Sequence, residues 1–264
     1  MTRSVYRKLP QNDSTPREIA EVVNNLVEGK SNNTGEITLN TGNATTTTIY
    51  NERIGYNSII LLTPMSTAAG SDAVPYGAFQ DSTDQTAAST TAAYAITFNT
   101  TDFSNGVYLS NSSRLNVRNS GLYNLEFSIQ FKNTTNDSQD AEVWFRKNGT
   151  DIAASNSRFG LSARKSSGDP SHTIGALNFY IELVAGDYVE IMWKVSATGV
   201  SIEHYAAGTS PTRPATPSVI TTMSYVSTSA STNVYVSAVT KGSATLKHFA
   251  NDTADKTYGY IIVA

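Results

Sequence analysis

Few residues in this sequence could perform acid–base or nucleophilic catalysis or bind a metal, and they lack the spacing of known catalytic or metal-binding motifs. The three histidines, His172, His204 and His248, show no His-x-x-x-His or similar spacing of metal ligands. The chain has no cysteine, so thiolate metal sites and disulfides are excluded. No G-x-S-x-G nucleophile elbow and no phosphate-binding glycine loop occur. The sequence therefore predicts a protein that is not an enzyme, holds no metal and needs no cofactor.

Carboxylates lie in predicted turns, where they have a structural explanation. Two carboxylates at a suitable separation can hydrolyse a glycosidic bond, but sequence spacing does not fix that separation. Asp and Asn are also common in turns because they hydrogen-bond to nearby backbone. The loop NTTNDSQD (133–140) offers oxygen ligands for calcium, in an order unlike that of an EF-hand loop, so no calcium site is assigned. The turn carboxylates are Asp81, Asp84, Asp102, Asp137 and Asp140.

The composition favours strands and turns over helices. Only 16% of the 264 residues are charged, against about a quarter in ordinary soluble domains, and Thr, Ser, Asn and Gly take their place. The formal net charge is −3 and no basic cluster occurs, which argues against a nucleic-acid partner. No apolar run is long enough to insert into a membrane. The N-terminal MTRSVYRKLPQNDS also lacks a secretory signal, so we expect a protein made and used without export.

One amphipathic helix is predicted at residues 15–29. Thr15 can cap it, with Pro16 at the first helical position and Glu18 completing a capping box, and Gly29 is a natural stop. A lone helix of this length is marginal in water and must pack against something. It packs either on its own domain or its copies, or on a larger assembly, which the polar segment before it (residues 1–14) favours. The apolar stripe comprises Ile19, Val22, Val23, Leu26 and Val27.

From residue 76 to 227 the sequence alternates with the period of two that strands require. In GLYNLEFSIQF (121–131) every second residue is large and apolar, and LNFYIEL (177–183) and YVEIMWKV (188–195) behave alike. Strands with one apolar face predict a sandwich of antiparallel sheets or a jelly roll. Some large groups fall on the outer faces, where they are either scattered surface residues or an oligomer interface, and we favour the interface. The interface candidates are Trp144, Tyr180, Tyr188 and Met192.

The middle region contains, in this order, G-L-Y followed by an aromatic strand, R-x-N-G, and L-x-x-G-D-x-V. In this combination it resembles the globular head of complement component q and the wider tumour-necrosis-factor-like jelly rolls. The resemblance implies a ten-stranded sandwich that forms compact homotrimers. The loops SARKSSGDPSH (162–172) and GTSPTRPATPS (208–218) depart from the family pattern. The matching pieces are YGAFQD (76–81), SRLNVRNSGLYNLEFSIQF (113–131), VWFRKNG (143–149), GALNFYIELVAGDYVEIMWK (175–194) and VITTMSYV (219–226).

Strand-like pieces flank the middle region on both sides and can form one discontinuous β domain. In RIGYNSIILLTP (53–64), the run Ile59 to Leu62 suits a strand buried on both faces. Together with SATLKHFANDTADKTYGYIIV (243–263), this piece resembles a domain of small structural proteins of tailed bacteriophages. Residues 16–39 likewise resemble the N-terminal module of phage virion proteins. We therefore expect a tail and anchoring helix at 1–35, a split β domain at 36–70 plus 231–264, and an inserted jelly roll at 71–230.

The expected function is that of a virion structural protein, assembled in the host cytoplasm. It would be a homotrimeric fibre, spike or capsid decoration, bound to other virion proteins through its N-terminal segment and contacting host-surface glycans through the jelly roll. The alternative is a carbohydrate-binding, lectin-like receptor module. A depolymerase is a third hypothesis, but the short regular repeats of a parallel β-helix do not occur.

Overall fold

The computed structural model describes residues 6–29, 31–70, 74–226, 234–251 and 255–263. The protein is mainly β, with 56% strand and 6% helix, and its sheets are antiparallel. This confirms the predicted fold class of a mainly β protein with a short N-terminal helix. The chain divides into two compact units, the first formed by residues 1–72 and 232–264 and the second by residues 73–231.

Within the described residues, both helices lie in the first part of unit 1, and unit 2 is built from strands and loops. The first part of unit 1 contains α1 (Pro16–Val27), β1 (Thr34–Thr38), β2 (Ala44–Tyr50), β3 (Ile59–Pro64) and α2 (Thr67–Gly70). Unit 2 contains β4 (Tyr76–Asp81), β5 (Gln85–Thr86), β6 (Tyr94–Ala95), β7 (Thr100–Asn105), β8 (Val107–Ser110), β9 (Arg114–Val117), β10 (Gly121–Asn133), β11 (Gln139–Lys147), β12 (Thr150–Asp151), β13 (Ser157–Leu161), β14 (Ser171–Leu183), β15 (Tyr188–Val195), β16 (Val200–Ile202), β17 (Gly208–Thr209), β18 (Thr212–Arg213) and β19 (Val219–Val226). Unit 1 resumes with β20 (Val234–Thr240), β21 (Ser243–Asn251) and β22 (Thr257–Val263).

Helix α1 begins at the capping box that the sequence predicts. The Thr15 hydroxyl accepts the Glu18 N–H at 3.3 Å, and the Glu18 carboxylate accepts the Thr15 N–H at 2.9 Å. That backbone N–H, together with the Thr15 hydroxyl, lowers the pKa of Glu18. Just beyond the helix, Gly29 adopts a φ of 71°, which glycine tolerates best. The predicted helix is thus confirmed, and none of its residues is buried.

The polar segment before the helix is tied to unit 1 from residue 6 onward. The Tyr6 N–H donates to Asn32 Oδ1 and Asn32 Nδ2 donates to the Tyr6 carbonyl, both at 2.8 Å. Arg7 pairs with Glu18 at 3.2 Å. The Asn32 amide therefore binds the backbone of residue 6 as a neighbouring strand would, and Arg7 connects this segment to α1. The first part of the predicted tail, residues 1–5, lies outside the described residues.

Each sheet of unit 1 combines strands from both ends of the chain. In one sheet the order is β1-β22-β3, and in the other it is β2-β21-β20. Gly35 pairs with Tyr260, whose ring lies over it: a Cβ at position 35 would come within 2.0 Å of Tyr260 Cζ. The shared core is apolar and includes Leu39, Ile49, Ile54, Ile60, Leu246, Tyr258, Tyr260 and Ile262.

The apolar run in β3 is covered on one face only. Ile60 is buried in the core of unit 1, whereas Ile59 and Leu61 are 61% and 54% exposed. Among the described residues β3 pairs with β22 alone and forms an edge of its sheet. The expectation of a strand buried on both faces is therefore wrong for the single chain, because no described element of unit 1 covers Ile59 and Leu61 from the outward side.

Unit 2 is a sandwich of two seven-stranded antiparallel sheets around one core. The first, called the β10 sheet, runs β5-β16-β10-β19-β4-β7, with β14 on the other side of β10. The second, called the β15 sheet, runs β12-β11-β15-β9-β8, with β13 beside β11 and β6 beside β15. The alternating apolar residues of 121–131 all point into the core, as predicted. They meet inward-facing residues of the β15 sheet, including Val143, Phe145, Ile191 and Trp193.

Candidate functional site

The histidines have structural surroundings. His248 is buried, with Nε2 2.9 Å from the Thr47 hydroxyl and Nδ1 2.7 Å from the Phe249 carbonyl, so its ring connects strands of unit 1. Nowhere in the described ranges do three His, Cys, Asp or Glu side chains gather as ligands for a metal ion. Within the same ranges, no helix is long and apolar enough to cross a membrane.

A polar cluster around Glu203 brings several titratable side chains together near one edge of the β10 sheet. Lys132 Nζ lies 2.5 Å from Glu203 Oε1, and His172 Nδ1 lies 3.7 Å from Glu203 Oε2. The Tyr205 hydroxyl is 3.0 Å from His172 Nδ1, and burial raises the pKa of that hydroxyl. Cation and carboxylate offset each other in this cluster. The contacts connect the segment after β16 to the end of β10 and the start of β14.

The candidate calcium loop is organised by its own side chains. The buried Asn133 donates to the carbonyls of Asp137 and Ser162, each at 2.9 Å. Its Oδ1 accepts from the Thr135 N–H at 2.9 Å and the Thr135 hydroxyl at 2.8 Å. These four bonds use the amide fully, so Asn133 stabilises the turn that follows β10, as asparagine commonly does.

The four interface candidates lie on two different sheets. Trp144 and Met192 face each other across β11 and β15, and Tyr188 begins β15, so these three belong to the β15 sheet. Tyr180 lies on β14, in the β10 sheet, and is 57% exposed. Since both sheets turn their inner faces to one core, the four residues cannot form one continuous surface. Met192 also departs from the expectation, because it is only 3% exposed within the single chain.

The outward side of the β15 sheet carries charged side chains that pair with one another. The cross-strand pairs Glu142–Lys194 and Arg146–Glu190 flank the Trp144–Met192 pair. The side chains of Trp144 and Arg146 both donate to Asp151 Oδ1, at 2.8 and 2.7 Å. The bond from Arg146, and next that from Trp144, lowers the pKa of Asp151. This surface is that of a solvated sheet, with its aromatic groups held by neighbouring charges.

Tyr188 shows the same self-contained arrangement. The Arg114 guanidinium lies 4.3 Å from the centroid of its ring, in cation–π geometry. Arg114 Nε in turn lies 3.6 Å from Glu190 Oε1. The aromatic ring is therefore covered by a cation of its own chain instead of being free for a partner.

The outward side of the β10 sheet differs in that several large apolar side chains are exposed on it, with charged residues mainly toward the strand ends. Ile174 and Tyr180 of β14 are 63% and 57% exposed. Ile220 of β19 lies in one row with Ser128 and Ala176, whose small side chains leave it raised above the sheet. We call this surface the β10 outer face; its large exposed members are Tyr76, Phe103, Ile174, Tyr180 and Ile220.

The centre of the β10 outer face carries one carboxylate, which is hydrogen-bonded by amides. Glu126 Oε1 accepts from Asn178 Nδ2 at 2.8 Å and from Asn124 Nδ2 at 2.9 Å. Asn178 also donates to Asn124 Oδ1 at 2.6 Å. Rows of amides and small residues between large apolar ones are suited to protein association, where polar groups must find partners once water is excluded.

A second exposed apolar surface runs along helix α1. Of the predicted stripe, Ile19, Val23, Leu26 and Val27 are exposed, and Val22 is half-buried. Val22 and Leu26 border a groove of about 390 Å³ whose other wall is the segment 6–9. The helix therefore presents most of its apolar stripe to the outside of unit 1.

Comparisons with protein-family models and with curated proteins find no match for this chain. The functional argument thus depends on its own surfaces. Sequence reasoning identified Tyr180 but missed Tyr76, Phe103, Ile174 and Ile220. A signal existed for two of them, because Ile174 and Ile220 stand out of phase with the buried residues of β14 and β19.

Proposed function

We propose that this chain is a non-enzymatic structural component of a bacteriophage virion. In this proposal it is a homotrimeric tail fibre, spike or capsid decoration protein. The N-terminal segment binds another virion protein, and the sandwich carries the loops that contact the host surface. Support comes from the resemblance of both ends of the chain to phage structural proteins and of the middle to trimeric jelly rolls.

The proposed oligomer is based chiefly on the exposed apolar residues of the β10 outer face. Large exposed apolar patches on a soluble chain mark interaction sites. The one carboxylate at the centre of this face, Glu126, is already paired with amides, and the other charged side chains in its outward positions, Lys132, His172 and Glu182, stand toward the ends of β10 and β14. The charged side of the β15 sheet offers no such surface. We therefore assign self-association to the β10 outer face, and we replace the mixed set of sequence candidates by Tyr180 and its apolar neighbours on that face.

The proposed binding of the N-terminal segment to another virion protein is based on the exposed apolar stripe of α1. An amphipathic helix of 12 residues gains most of its stability from packing its apolar face. Most of this stripe has no cover from the described part of the chain, while the helix start is fixed by its capping box and by Arg7. A capped helix with an open apolar face fits the helix-in-groove mode of recognition.

We expect removal of residues 1–29 to leave a soluble oligomer that no longer joins particles. The point variant Val23→Asp should act in the same direction, because it places a charge in the contact face of α1. Incorporation is measured by adding purified protein to particles assembled without it and quantifying the bound fraction after sedimentation. The matched control is Asn24→Asp, at the adjacent position outside the stripe, which should bind as the unchanged chain does. Full incorporation of the truncated chain would contradict the anchor.

A further inference from the structure

A third apolar surface lies on unit 1, on the outward side of the β1-β22-β3 sheet. Ile59 pairs with Val263 and Leu61 pairs with Ile261, and all four side chains are exposed on this side. Met65 extends the patch, because its sulfur lies over Gly259, 2.7 Å from where a Cβ would stand. We call this surface the β22 outer face. Five large apolar groups in adjacent rows are a patch, unlike single exposed residues, which need no explanation.

The patch has the composition of an interface core with a polar rim. Its β1 side is lined by threonines, and the Thr38 and Thr257 hydroxyls lie 2.9 Å apart. Glu36 is the one charged residue in the three strands of this sheet, and it stands on β1 opposite Gly259, at the border of the apolar rows. An apolar centre surrounded by hydroxyls and a single charge is typical of a surface that is buried in a protein–protein interface.

The edge strand of this sheet also lacks the usual protection. Natural edge strands are kept from pairing with other chains by charged residues, bulges or covering segments. Strand β3 reads IILLTP, with no charged residue, and proline stands only at its last position. Within the described residues no further strand pairs with its free edge. Left open, such a strand would promote aggregation, so we expect it to be covered in the assembled protein.

We propose that the β22 outer face is a second contact between copies of this chain, so that unit 1 as well as the sandwich is held together in the oligomer. Apart from Glu36 at its border, the patch carries no charge by which an oppositely charged partner could be selected, whereas an apolar surface is complementary to itself around a symmetry axis. The inference rests on the proposed oligomer in one respect. Association of the sandwiches tethers copies of unit 1 to one another and raises their effective concentration to the millimolar range typical of short linkers, about 1 mM.

The absence of cysteine allows a direct test by single-cysteine cross-linking of the full chain. In Leu61→Cys the new thiol replaces a half-exposed leucine at the centre of the patch, a change that leaves the buried core intact. Under mild oxidation at low protein concentration we expect rapid formation of covalent dimers on non-reducing gels. The control is Tyr50→Cys, in the other sheet of unit 1 and 80% exposed in the unchanged chain, which should remain largely uncross-linked.

A second variant tests the contact without oxidation. We expect Leu61→Asp to raise the concentration at which the oligomer dissociates by on the order of tenfold, as for loss of a central interface residue. Light scattering distinguishes the two proposals. An intact oligomer with no preferential cross-linking of Leu61→Cys overturns this inference alone, and it points to a different protein on the patch. Monomers that show no cross-linking in either variant overturn both this inference and the proposed oligomer.

Discussion

The double variant Tyr180→Asp and Ile220→Asp is expected to convert the oligomer into folded monomers. Both side chains stand on the β10 outer face, so in the oligomer each aspartate would be buried without a cation opposite it. An uncompensated charge in a buried interface costs about 3–5 kcal/mol. Since 1.4 kcal/mol changes an affinity tenfold, each substitution should weaken association by about two to four orders of magnitude. Size-exclusion chromatography with light scattering over a range of concentrations measures the change.

The competing assignment is tested on the other side of the sandwich. Trp144→Glu combined with Tyr188→Glu alters the aromatic residues of the β15 sheet, which lie among paired charges. We expect this variant to keep the oligomeric state of the unchanged chain. Should it dissociate while Tyr180→Asp with Ile220→Asp stays assembled, the interface lies on the β15 sheet. Circular dichroism of both variants shows whether the sheets remain folded.

The second large effect is expected in the core of the sandwich, for Phe79→Ala. Phe79 is fully buried on β4, and its ring lies 6.4 Å from that of Phe98, centroid to centroid. Truncating a buried phenylalanine leaves a cavity and lowers the free energy of unfolding by about 3–5 kcal/mol. That is a large part of the roughly 5–15 kcal/mol that stabilises a typical domain. The strand pattern should survive, but the midpoint of denaturant unfolding should fall markedly.

The chain offers a selective signal and a matched control for this measurement. Its two tryptophans, Trp144 and Trp193, both lie in unit 2, so their fluorescence follows unfolding of the sandwich. The substitutions are best compared in the monomeric Tyr180→Asp, Ile220→Asp background, where unfolding does not include dissociation. Phe103→Ala, on the neighbouring strand β7 but exposed, should then change stability by no more than about 0.5 kcal/mol. Equal effects of the two substitutions would show that Phe79 does not pack as described.

Part of the candidate site follows from local sequence. The spacing of the α1 stripe and the capping box at Thr15 are set within one or two turns, and the exposed stripe is where the pattern places it. Tyr180 could be found because it falls out of phase with Phe179 and Ile181 on a strand of clear period. Ile220 is likewise out of phase with the buried residues of its strand. It is harder to recognise, because the strand contains threonines and its alternation of apolar and polar residues is less clear.

Three features were determined by the sequence itself: which side chains of each strand point to the same side, where the helix begins, and that no cysteine is present for thiolate chemistry. These properties depend on neighbours within a few positions. The tertiary structure alone decided which outward faces are covered, because cover comes from strands distant in sequence. Met192 is buried outside the core while Ile59 and Leu61 are exposed, although the sequence suggests the reverse. Burial of a sheet's second face depends on what lies across from it, and within each unit the described residues leave most of the β10 and β22 outer faces exposed.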